Sequence, residues 1–248
     1  MEREHEVADW IGATGLSAAA VARRAGVSAS TVHRIQTGRV DPSLGTLREI
    51  ALACGIDFDI VSRPVSDRFA AAAARELLEE GYRAPDDPEV RRWRERLTRM
   101  AEGDSPLDLA AAAASASSPL DRPGALLLSG TVSLGRLASA GDASGDSWAL
   151  SGPAGLTLPP QHDPAPVVTI LWCLDVQKVG RLLGDANLRA THRVDRARIA
   201  IVRAEPELFA GSFQRGIVRY AAPIQIILDC LAQGGPVADD AMREARTW

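Results

Sequence analysis

Between Ser28 and Arg39 the chain places four hydroxyls, one imidazole and two guanidiniums, with no carboxylate among them. These are Ser28, Ser30, Thr31, His33, Arg34, Thr37 and Arg39, with Ala29 as a small apolar member of the series. Hydroxyl and guanidinium donors suit anionic oxygens, and an arginine can fork onto two acceptors at once. From Leu16 to Arg48 the basic residues are Arg23, Arg24, Arg34, Arg39 and Arg48, and the single acid is Asp41. The whole chain has 248 residues and a formal net charge of -4. A cationic face inside an acidic chain fits phosphate contact at one place and argues against indiscriminate coating of nucleic acid.

No other stretch gathers residues for catalysis. The pairs Glu79-Glu80, Asp86-Asp87 and Asp239-Asp240 sit at expected turns or helix ends, as caps and solvated charge. Asp175, at the end of an expected buried strand, is the best single candidate for chemistry, but no second carboxylate or histidine stands at a motif spacing. Ser129 and Ser151 each precede a glycine without the G-x-S-x-G pattern. Cys54, Cys173 and Cys230 are far apart and read as small buried hydrophobes in a reducing compartment. His162 and His192 do not complete a metal set with them. The reading is a protein that is not an enzyme, with no metal and no cofactor.

The donor series needs a scaffold, and the flanking residues supply one. Leu16-Ser17 opens a short helix with Ala20, Val21 and Ala25 on its apolar face, and Ser17 is placed to cap it. Gly26 ends it and Val27 plugs the corner. Ser28 caps a second helix running to Gln36 or Thr37, with Val32 and Ile35 pointing inward and Gly38 as its stop. Pro42-Ser43 starts a further helix with Leu44, Leu47, Ile50, Ala51 and Leu52 as its buried stripe. Before them, residues 1–15 form a helix facing the core with Val7, Trp10 and Ile11, and this segment carries the acids Glu2, Glu4, Glu6 and Asp9.

Two helices joined by a glycine turn make a helix-turn-helix. From about Val7 to Ile60 the chain resembles the Cro and phage-repressor (XRE) class of regulators, on Leu16-Ser17, Val21-Ala22, Ala25-Gly26-Val27-Ser28, Thr31-Val32, Ile35, Gly38-Arg39, Pro42-Ser43, Leu47 and Ile50-Ala51-Leu52. The resemblance implies that Ala29, Ser30 and Arg34 reach base edges of double-stranded DNA. Ala29 would meet a thymine methyl, and Arg34 would fork onto guanine O6 and N7. Thr31, Thr37 and Arg39 are better placed for phosphate, and His33 reads as solvated or phosphate-side. Ala18 stands where the family commonly has glutamine, and Gln36 where glutamate is frequent.

Phe58, Ile60 and Val61 form a short extended segment ending at Pro64. Ser66 is then a cap candidate for a helix with Phe69, Ala73 and Leu77, closed by Gly81. A helix from Glu89 to Glu102 carries Val90, Trp93, Leu97 and Met100 on one stripe; its arginines read as a solvated face paired with Glu89 and Glu95. Residues 104–122 form a helix and turn in a linking region, Ala125–Leu128 is short and apolar, and Gly130–Gly145 reads as a loop. Val167–Leu174 is a continuous apolar run, a strand buried on both faces. A helix from Val176 to Gly184, strands at 198–203 and 213–220, a proline-started helix from Pro223 to the Gly234-Gly235 break and a last helix from Pro236 to Arg246 complete the chain.

The second half resembles the C-terminal domain of AbiEi antitoxins, on Trp148–Leu156, the strand-helix-strand of 167–203 and residues 216–242 with their Leu228-Asp229 pair. That resemblance implies a regulator of its own operon whose partner is a nucleotidyltransferase-like toxin. The N-terminus has no apolar signal region and no run approaches a membrane span, which reads as a cytoplasmic protein with no membrane partner. The expectation is an α+β chain: a helix-turn-helix domain at 1–63, a helical middle at 64–147 and a small α+β domain at 148–248. The expected function is a sequence-specific DNA-binding transcriptional regulator, an autorepressor acting as a homodimer; the alternative is an antitoxin working through the C-terminal domain.

Overall fold

A computed structural model describes residues 3–59, 61–101, 105–161, 167–184 and 187–248. The expectations placed on Glu2, Ile60, Glu102, His162, Pro164 and Pro166 lie outside the described residues. The chain forms two compact units, Met1–Arg63 and Pro64–Trp248.

The first unit packs the helices α1 (Arg3–Thr14), α2 (Ala18–Arg24), α3 (Ala29–Gln36) and α4 (Leu44–Ala53) around Val7, Ile11, Val21, Val32, Ile35 and Ile50. Trp10 stacks on Phe58 with ring centroids 6.0 Å apart. The helices stop where the glycines predict, and for one physical reason. Past α2, Gly26 turns left-handed at φ +65, so that its own N–H reaches Arg23 O and the Val27 N–H reaches Ala22 O. Past α3, Gly38 repeats this with Ile35 O and Arg39 N–H to Arg34 O; past α4, Gly55 repeats it with Leu52 O and Ile56 N–H to Ala51 O. Each helix thus closes its last carbonyls on its own chain. The predicted stripe of α4 needs correction. Ile50 and Ala51 are buried, but Leu44 is 61% and Leu52 49% exposed. Leu52 stands about 200° around the helix from Ile50 and so faces the opposite way.

The second unit is built on a mixed sheet of β1 (Leu126–Ser129), β2 (Trp148–Ser151), β3 (Thr169–Cys173), β4 (Arg189–Ala190), β5 (Ile199–Arg203), β6 (Phe213–Arg215) and β7 (Val218–Tyr220), in the order β4-β1-β5-β3-β2-β7-β6. β3 runs parallel to β5 and β2 parallel to β7; the other neighbours are antiparallel. The run around β3 is buried on both faces: Ile170 and Trp172 join one apolar cluster, Leu171 and Cys173 another. Around the sheet lie α5 (Arg68–Leu78), α6 (Pro88–Met100), α7 (Pro106–Ala116), α8 (Leu134–Ser144), α9 (Val176–Leu183), α10 (Pro223–Gln233) and α11 (Gly235–Ala245). α10 is buried from Gln225 to Cys230 and contacts α5, α7 and α11.

Several expectations differ from this unit. The Gly/Ser stretch 130–145 is not a loop but holds α8, capped by Ser133 and stopped by Gly145 at φ +71. Its Gly141 permits close packing: a Cβ there would lie 2.4 Å from the Trp148 ring. The Ala/Ser segment after 104 is not a linker, because Ala110, Ala113, Ala114 and Ala116 of α7 are core residues. The expected division at 147/148 falls between α8 and β2, inside one compact unit. The single strand expected at 213–220 is a hairpin of β6 and β7 that turns at Gly216, φ +64. Asp67, and not Ser66, caps α5 by accepting from Phe69 N–H at 2.9 Å; Ser66 instead bridges to Ser117. Leu77 and Met100, expected inside, are 39% and 48% exposed.

Candidate nucleic-acid interface

The geometry of α3 starts at its cap. Ser28 Oγ accepts from Thr31 N–H at 3.0 Å, satisfying one free amide of the first turn. The same oxygen lies 2.8 Å from both Ser30 Oγ and Thr31 Oγ1, so the three hydroxyls form one linked group at the helix start. Val32 and Ile35 are buried against α1 and α2, which fixes which side of α3 faces solvent. Ser28, Ala29, Ser30, His33, Arg34, Thr37 and Arg39 are exposed, and Thr31 is half-buried. Ser30 and Arg34 lie four residues apart on one face.

Thr37 is less free than the sequence implies. Its hydroxyl donates to His33 O at 2.9 Å, so its single proton is engaged with its own helix. Arg39 is outside the helix, but its N–H donates to Arg34 O at 2.8 Å. The glycine stop therefore ties the backbones of the two arginines together. Arg23, Arg24, Arg34, Arg39 and Arg48 are all exposed and make no ion pair among the described residues. This face can offer hydroxyls, an imidazole and guanidiniums to an anionic partner without first breaking a carboxylate contact.

The arginines of α6 are differently occupied. Arg91 pairs with Asp86, Arg92 and Arg96 with Glu89, and Arg94 with Glu76. They are a solvated, largely neutralised face, although Glu76 takes the part expected of Glu95.

Other candidate residues have structural work. Asp175 caps α9, accepting from Lys178 N–H at 2.9 Å. Ser129 Oγ donates to Arg189 O. Asp240, expected as solvated charge, is 7% exposed and accepts from Gln161 N–H and Arg243. Cys173 and Cys230 are buried, and all three cysteines are free; burial pushes the Cys173 thiol up to about 12.

Asp229, read in the sequence only as half of the Leu228-Asp229 pair, has a larger structural part. It is 2% exposed and accepts from Trp172 Nε1 at 2.8 Å and Gln225 Nε2 at 2.9 Å. Burial pushes its carboxyl up to about 6, against the pull of those donors and of Arg122. A charged residue inside the apolar stripe Ile226–Cys230 was the available signal, since such a residue must find partners.

No helix among the described residues is long and apolar enough to cross a membrane. No curated protein and no solved structure matches the chain. Residues 3–60 match the family model described as a helix-turn-helix domain. The first unit accordingly contains a helix-turn-helix domain.

Proposed function

We propose that the protein is a sequence-specific transcriptional regulator that binds double-stranded DNA through α3, acts by binding and not by catalysis, and represses its own gene. The observation that carries this is the exposed, carboxylate-free face of a capped α3 bearing Arg34, within a unit that matches a helix-turn-helix domain. In such units the second helix enters the major groove and its first residues meet base edges. Arg34 then forks onto a guanine, while Ser28, Ser30, Thr31, His33, Thr37 and Arg39 serve base or phosphate contact around it. One such helix buries too little surface for tight specific binding, so a homodimer reading two half-sites is the working form.

The test is duplex binding by full-length protein, using DNA from upstream of its own gene and a scrambled duplex. Arg34→Ala is expected to lose about 1–3 kcal/mol of discrimination at one base pair per half-site. Unchanged discrimination in that variant removes Arg34 from base reading. Absence of any salt-sensitive preference in the wild type removes the regulator reading itself.

A second reading is an antitoxin that neutralises a nucleotidyltransferase-like toxin. It is supported by β7 running into the proline-started α10 with its Leu228-Asp229 pair, the arrangement implied by the AbiEi resemblance. Full-length Arg34→Ala/Arg39→Ala, impaired in DNA binding, is expected under this reading still to protect cells from an adjacent toxin gene. Loss of protection along with DNA binding rejects it.

A further inference from the structure

The second unit holds an open cavity of about 760 Å³. The first turns of α5 and α6 form one side, and Trp172 and Gln225 line it from β3 and α10. The end of β5 and the 3-10 turn Pro206–Phe209 form the other side. Its charges are unequally committed. Asp67 and Asp87 cap α5 and α6, accepting from Phe69 N–H at 2.9 Å and Glu89 N–H at 2.8 Å. Glu89 is held by Arg92 and Arg96, and Glu205 by Arg68. Arg75 is taken up by Glu79 and by the carbonyls of Leu208 and Ala210.

Arg122 and Arg203 remain. Arg122 is half-buried; its Nε donates to Ser66 Oγ at 3.1 Å and an Nη to Ser117 O at 3.3 Å. It has no carboxylate within ion-pair distance among the described residues. Burial pulls its pKa down, opposed by the more distant charges of Asp229 and Asp67. Arg203, exposed at the end of β5, also makes no ion pair among the described residues. Of the acids lining the cavity, only Glu207 is equally uncommitted. A partly desolvated guanidinium without a counter-charge is costly, and an anion arriving there recovers that cost.

We infer that this cavity binds a small organic acid, with its anionic head on Arg122 and Arg203 and its apolar body against Phe69, Pro85 and Leu208. Cavities of this size take drug-sized molecules, with a few polar groups fixing orientation. The inference is independent of the DNA-binding reading, because every residue it uses belongs to the second unit.

Calorimetric titration of the full-length protein tests it, with 4-phenylbutyrate, phenyl phosphate and the neutral 4-phenylbutanol as probes. At least one anion is expected to bind one-to-one, and the neutral probe at least about tenfold more weakly. A tighter carboxylate or a tighter phosphate identifies the head group, and either supports the site. Arg122→Gln is expected to abolish anion binding. Because Arg122 also holds Ser66 and Ser117, the exposed Arg203→Gln is the safer variant. It should weaken the anion at least about fivefold with an unchanged melting temperature. The remote Arg136→Gln should bind as wild type does. Equal affinity for neutral and anionic probes, unchanged affinity in Arg203→Gln, or no heat from either anion up to about 5 mM overturns the inference.

Discussion

Asp229→Asn should flatten the dependence of the second unit's stability on pH. The carboxyl is buried on α10 beside Trp172 of β3, and its pKa is raised from 3.8 to about 6. The folded protein therefore holds this proton more tightly than the unfolded chain does. The stabilisation is fully present well below about pH 4 and is lost as pH rises through about 6. About two pH units at about 1.4 kcal/mol each give a loss of about 3 kcal/mol over that window. Asparagine has nearly the same shape and retains an oxygen for the Trp172 N–H, while a turned Gln225 amide can accept from the new NH2 group. The assay is urea unfolding at pH 4, 5, 6 and 7, followed by tryptophan fluorescence. Wild type should lose about 2.4 kcal/mol more than the variant between pH 4 and 7, the rest of the loss falling below pH 4. Parallel profiles for the two proteins would refute the reasoning and would mean that the carboxyl titrates near its unfolded value.

Three further outcomes are expected. Arg75→Ala should cost about 3–5 kcal/mol in urea unfolding, because it strands Glu79 and the carbonyls of Leu208 and Ala210 in a site where Arg75 is 1% exposed. Ser28→Ala should lower the stability of the first unit by about 1 kcal/mol, measured by thermal melting, since it removes the cap of α3. Arg39→Ala should weaken binding to specific and scrambled duplexes alike and reduce the salt dependence of log K by about 1, measured by fluorescence anisotropy over a salt series.

The first unit was legible because its signals are local. Ser17, Ser28 and Ser43 cap the helices that follow them, and Gly26 and Gly38 stop helices by bonds within their own turns. The apolar run of β3, where burial on both faces leaves a continuous pattern, the alternation around β5 and the proline at the start of α10 were also readable. What escaped depends on distant partners. Composition alone makes residues 130–145 look like a loop; the ring of Trp148 explains why Gly141 belongs in a helix. The Asp229–Trp172 bond spans 57 residues, and the cavity joins α5, β5 and Arg122 from three separate parts of the chain. The bond from the Thr37 hydroxyl back to His33 O is likewise a detail that only the folded helix shows.

The place of β1 between β4 and β5 bears on how this protein can be dissected. A fragment beginning at Trp148 would look natural by composition, yet it would strip β5 of its antiparallel neighbour and leave a row of bare amides and carbonyls on the edge of β5 that faces away from β3. Open strands of that kind recruit other chains. Insolubility of such a truncation would then report a missing neighbour and not a missing activity, and shortened versions of this half should begin no later than Pro64.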